Sequence, residues 1–150
     1  MDVCTRMFGV GCLMKPCVCV NSFADAVSLF KREIGGEQIG SEGGVAAIVA
    51  DDTKKYFVFF KRDWFNSYYR QFPTEQGMGY GQSVSLDILE KAADQGAIIA
   101  IVFPDGKIYG LPAFFWLQYA ESHSTTRQPH GDSDVTASVP SRLLQRLNSD

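Results

Sequence analysis

Residues 43–62 read GGVAAIVADDTKKYFVFFKR. Val45–Ala50 and Tyr56–Lys61 are runs of β-branched, aromatic and small apolar residues, and the DDTK between them supplies turn chemistry. That combination predicts a β-hairpin. Both runs are apolar at nearly every position, so neither strand has a solvent face, which is the pattern of a sheet covered on both sides. Along the second run the two-residue period puts Tyr56, Val58 and Phe60 on one face, and Phe57, Phe59 and Lys61 on the other.

N-terminal to the hairpin, SFADAVSLFKREIGG (22–36) predicts a helix. Ser22 is a natural N-cap with Asp25 three residues on, Phe23, Val27, Phe30 and Ile34 form one apolar stripe, and Gly35–Gly36 ends it. Glu33 falls at the C-terminal end, where the helix dipole disfavours a carboxylate. C-terminal to the hairpin, FPTEQGMGYG (72–81) reads as a loop, since its glycines fit neither the dinucleotide nor the P-loop spacing. SLDILEKAADQG (85–96) predicts a second helix, capped by Ser85 and facing the core with Leu86, Leu89 and Ala93. AIIAIVFPDGKIYGL (97–111) predicts a second hairpin around Pro104-Asp105-Gly106. Pro112 is placed to open a third helix carrying Phe115, Trp116 and Tyr119. Ser122–Asp134 is polar and reads as a mobile loop holding His123 and His130, with no further metal ligands beside them. VTASVPSRLLQRL (135–147) predicts a short strand and a last helix led by Pro140.

Together these elements give an α+β fold, a small mixed β-sheet of two hairpins flanked by helices. The 150 residues suffice for a core without disulfide or metal staples. The expected organisation is a single domain over 14–150, containing the polar loop 122–134, with residues 1–13 as a flexible extension. The net charge of −3 gives no global field for polyanions. No apolar run approaches the ~20 residues of a membrane span, and no signal peptide is evident, so a cytoplasmic location without membrane contact is expected. Cys4, Cys12, Cys17 and Cys19 lie within nineteen residues, but the Cys17/Cys19 spacing is too short for a zinc knuckle. Alternation with Val18 and Val20 favours thiols buried along a strand.

The order of elements, with Glu33 on the first helix, Gly43-Gly44-Val45 opening the hairpin, Phe59-Phe60-Lys61 closing it, Gln82 before the second helix and GAIIAIVF at 96–103, resembles the restriction-endonuclease-like, or PD-(D/E)xK, core of Holliday-junction resolvases and many nucleases. The resemblance covers about residues 22–120. It implies a core that binds DNA or RNA, and phosphodiester hydrolysis assisted by a divalent cation such as Mg²⁺. In the family an Asp on the first hairpin strand and an acid two residues before the Lys hold that cation. Here those positions fall at Gly44 or Val45 and at Phe59, and Lys61 alone is retained. Whether the chain is an enzyme is thus left open. Catalysis would require carboxylates migrated to positions such as Glu33 or Glu42, with Lys61, Glu33 and Gln82 as the candidate catalytic residues. Asp51 and Asp52 sit in the hairpin turn, at the far end from Lys61.

Residues 54–72, KKYFVFFKRDWFNSYYRQF, contain nine aromatic and five basic side chains. The strand phenylalanines are assigned to the core. Beyond them, Arg62, Trp64, Tyr68, Tyr69 and Arg70 interleave cations with rings. Together with Lys54 and Lys55 they are the candidate nucleic-acid contacts, the cations on phosphates and the rings on bases. The same composition suits a homo-oligomeric, self-associating interface, or a helix over WFNSYYRQF packing down through Trp64, Tyr68 and Phe72. Two functions are carried forward: a nucleic-acid-binding protein with a degenerate nuclease-like core, and a non-enzymatic interaction module joined through 62–72.

Overall fold

In the computed structural model of the chain, residues 20–42, 44–61, 71–74, 77–122, 127–130 and 134–148 are described. The first helix, α1 (Phe23–Glu33), starts where the Ser22 hydroxyl accepts the Asp25 amide at 3.1 Å, and it ends as Gly35 turns to a φ of +103°. Strands β1 (Glu37–Glu42), β2 (Val45–Ala50) and β3 (Lys54–Phe60) then form an antiparallel meander. The β2–β3 turn puts Asp51 and Asp52 at φ of +56° and +59°, a backbone region that Asp tolerates better than most residues.

A second helix, α2 (Leu86–Asp94), precedes β6 (Ile98–Val102), which lies parallel to β3. A parallel neighbour cannot be reached by a tight turn, so the intervening chain must cross over. β7 (Ile108–Pro112) returns antiparallel to β6, and the two-residue β10 (Gln145–Arg146) pairs with its outer edge. The order is β1-β2-β3-β6-β7-β10, a mixed six-stranded sheet. The third helix, α3 (Ala113–Ser122), begins one residue after the predicted position, because Pro112 completes β7.

Both faces of this sheet are covered, as the doubly apolar strands require. On one face α1 packs Ala26, Val27, Leu29 and Phe30 over Ile48, Tyr56, Val58 and Val102. On the other, Leu89 of α2 and Trp116 of α3 cover Ile99 and Ile101, with Phe57 and Phe59 against them. Burying one such aliphatic side chain contributes about 1.5–3 kcal/mol, so this double layer outweighs any single polar contact described below.

Four segments differ from expectation. Residues 72–81 do not form a loop: β4 (Gln71–Thr74) and β5 (Gly77–Ser85) pair antiparallel. The predicted mobile loop contains β8 (Arg127–His130), and β9 is Asp134–Pro140. These strands make a second sheet in the order β4-β5-β9-β8. Its central pairing joins Gly81–Ser85 to Thr136–Pro140, more than fifty residues away, so glycine-rich local sequence carries no sign of it. Residues 37–42 form β1, with Ile39 exposed. The predicted C-terminal helix is a single 3-10 turn, Ser141–Leu143, because Gln145 and Arg146 are captured by the β7 edge. Among the described residues no helix is long and apolar enough to cross a membrane.

Candidate functional site around Lys61

The side-chain alternation of β3 delivers Lys61 to the face shared with α2 and α3. Phe57 and Phe59 pack into the core on that face. The Lys61 amide donates to the Val102 carbonyl at 3.1 Å, which prolongs the pairing with β6 by one bond. Its side chain then reaches across to the second sheet, where the ammonium donates to the Ser83 carbonyl on β5 at 2.6 Å. Burial lowers the lysine pKa from 10.5 to about 8, because the charged form has lost hydration. Lys61 is still a cation at neutral pH, with a protonation equilibrium unusually close to it.

β5 supplies the surroundings. Ser83 lies opposite Ser138 in the β5–β9 register, and the two hydroxyls hydrogen-bond at 2.5 Å. Gln82, one residue earlier, is buried at 2% exposure. Two of the three candidate catalytic residues, Lys61 and Gln82, are thereby brought to the same sheet–sheet junction. Ser83 and Ser138 carry no motif, and the pairing of distant strands alone could have revealed them.

Glu33 is not brought to Lys61. It closes α1, on the opposite face of the sheet, and its carboxylate accepts from the Asn148 carboxamide at 3.3 Å. Asn148 is itself buried and ties Ile108 N, Gly106 O and Arg146 Nε together. Helix direction and sheet layering therefore place Glu33 beside Asn148 rather than beside Lys61. Among the described residues no three His, Cys, Asp or Glu side chains converge as a metal site would require.

The β2–β3 register makes Val45 and Phe59 direct cross-strand partners. Both are odd-numbered positions on the Lys61 face, and both are hydrocarbon. Val45 is buried and Phe59 packs against the core.

Lys54 and Lys55 are at the start of β3, seven and six residues from Lys61. At ~3.3 Å per residue they stand ~20 Å from it, so the three lysines do not form one patch. Lys54 is exposed, while Lys55 donates to Gln95 Oε1 and sits 5.8 Å from the centre of the Phe57 ring. Arg62, Trp64, Tyr68, Tyr69 and Arg70 lie outside the described residues, as do the four cysteines and His123. His130 ends β8.

No protein-family model matches the chain, and no curated protein or solved structure matches it either. The class defined by the coordinates is a mixed α+β protein with a six-stranded and a four-stranded sheet and three described helices.

Proposed function

We propose that the chain is a nucleic-acid-binding protein on a nuclease-like core whose cation site has been replaced by hydrocarbon. The observation that carries this reading is the Val45–Phe59 pair. The restriction-endonuclease-like resemblance implies metal-holding acids at Gly44 or Val45 and at Phe59, and Val45 is the one of the first two that pairs with Phe59. The strand register sets them side by side and on the face of Lys61. The reading also draws on the order of α1, the β2–β3 hairpin, α2 and β6, with β4 and β5 inserted before α2.

A divalent cation such as Mg²⁺ needs oxygen ligands in near-octahedral array. Valine and phenylalanine offer none, so these residues do not fit the ion. The function proposed is accordingly one of binding.

Lys61 is the residue assigned to phosphate. Among the described residues its bond to Ser83 uses one of three N–H donors. The desolvation that depresses its pKa also makes an approaching anion favourable, since a phosphate oxygen restores the lost solvation of the charge. The ring-and-cation segment 62–70 would extend the contact along a strand.

Anisotropy titrations with labelled single- and double-stranded DNA and RNA in ~50 mM salt test this. Binding that weakens steeply as salt rises is expected, because each neutralised phosphate releases counterions. Absence of binding to all four ligands at low salt would remove the proposal.

A further inference from the structure

A cleft of about 260 Å³ opens between the β1–β2–β3 meander and α2. Its floor includes Val45, Ala47, Phe57 and Ile88. Lys55, Lys91 and Gln95 also line it, and none of the described lining residues carries a carboxylate. Ile39 completes the wall, although it is 57% exposed on an edge strand where a polar residue would be expected.

The amphipathic character of the cleft is built in by two periods. Ile88 and Lys91 on α2 and Gln95 at its C-cap are three and four residues apart and so share one stripe. On β3, Lys55 and Phe57 are two apart and share one face, which brings the ammonium over the ring. Lys55 also donates to Gln95, so the strand and the helix are already joined at the cationic end. Apolar surface with a few placed polar groups is the usual make-up of a small-ligand pocket, and this volume lies just below the usual range. It therefore suits a small ligand.

We propose that this cleft binds a small amphipathic anion. Its apolar body would lie on Val45, Phe57 and Ile88, and its single carboxylate or phosphate would face Lys55 and Lys91. This does not rest on the nucleic-acid reading: Lys61 does not line the cleft, and its ligand need not be a polymer. Two sources share the chemistry, a nucleoside monophosphate and an aromatic carboxylate.

Amide NMR titrations of the full chain with adenosine 5′-monophosphate and phenylacetate test it, each against its neutral counterpart, adenosine and phenylacetamide. At least one anion should shift the amides of Ile39, Ile88 and Gln95, and bind at least tenfold tighter than its neutral partner. Which anion does so identifies the source. The double variant K55Q/K91Q should abolish that preference, whereas K54Q, whose side chain does not line the cleft, should keep it. Equal binding of anion and neutral partner, shifts that map elsewhere, or no shifts at millimolar ligand would overturn the proposal. The wild-type comparison stands even if the double variant does not fold.

Discussion

The Lys61 ammonium at the end of β3 and the Ser83 carbonyl on β5 meet at 2.6 Å, tying the six-stranded sheet to the four-stranded one. A charge in such a place has a cost that depends on pH. The folded-state pKa is about 8, against 10.5 when the group is free. Between those values the unfolded chain binds more protons than the folded one, so stability rises with pH across that window. Below about pH 8 the penalty is fully present. Chemical denaturation of wild type and K61M at pH 7 and pH 9.5 should show wild type gaining relative to the variant at the higher pH. A difference independent of pH would contradict the burial of this ammonium.

Gly36 separates backbone strain from steric contact. Its φ is +101°, and a Cβ there would sit 2.6 Å from the Val49 carbonyl oxygen and 2.8 Å from Ile48 Cγ2. Gly35 has a similar φ of +103° and open space around it. Gly35→Ala is expected to cost about 1–2 kcal/mol from the left-handed backbone alone. Gly36→Ala should cost at least ~1 kcal/mol more, because overpacking adds to the strain. Equal urea midpoints for the two variants would show that the α1–β1 turn does not press on β2.

Trp116 fixes the second sheet to the helices. The ring is fully buried and its indole N–H donates to the Ala137 carbonyl at 2.9 Å. Trp116→Ala should lower unfolding free energy by about 3–5 kcal/mol. Trp116→Phe, which keeps most of the volume but loses the donor, should lower it by about 1–3 kcal/mol. If the two losses were alike, the hydrogen bond rather than packing would hold α3 to β9.

Asn148 and Glu33 distinguish a structural hydrogen-bond cluster from a displaced metal ligand. Asn148→Ala leaves the Ile108 amide and the Gly106 carbonyl without their side-chain partner, and should cost about 1–3 kcal/mol. Glu33→Gln, on an exposed helix end, should change stability by less than about 0.5 kcal/mol. It should also leave the thermal midpoint indifferent to added Mg²⁺, as in wild type. A magnesium-dependent rise that Glu33→Gln abolishes would restore the ligand role.

The parts of the fold legible in sequence are those whose signals are local. The Ser22 cap, the 45–50 strand and the turn at Pro104–Gly106 stand where expected, and the strand expected over 56–61 after DDTK runs over 54–60 after DDT, because capping, alternation and turn residues act over a few positions. The second sheet was not legible. GMGYGQSVS has weak strand propensity, and it is extended because β9 supplies a partner from far along the chain. Likewise SRLLQRL has helix-forming residues, yet the open edge of β7 takes Gln145 and Arg146. At the candidate site, Lys61 and its face followed from the two-residue period. That Val45 lies opposite Phe59 required the observed register, and the Ser83 carbonyl required the second sheet.

The central claim is that the Lys61 ammonium meets a phosphate, and it can be watched directly. In a ¹³C-lysine NMR titration, the Lys61 side-chain resonance of the free protein should report a midpoint of about 8. On saturation with a short oligonucleotide that midpoint should rise, because a neighbouring phosphate favours the charged amine. An oligonucleotide that binds and leaves the Lys61 midpoint unmoved would contradict the account.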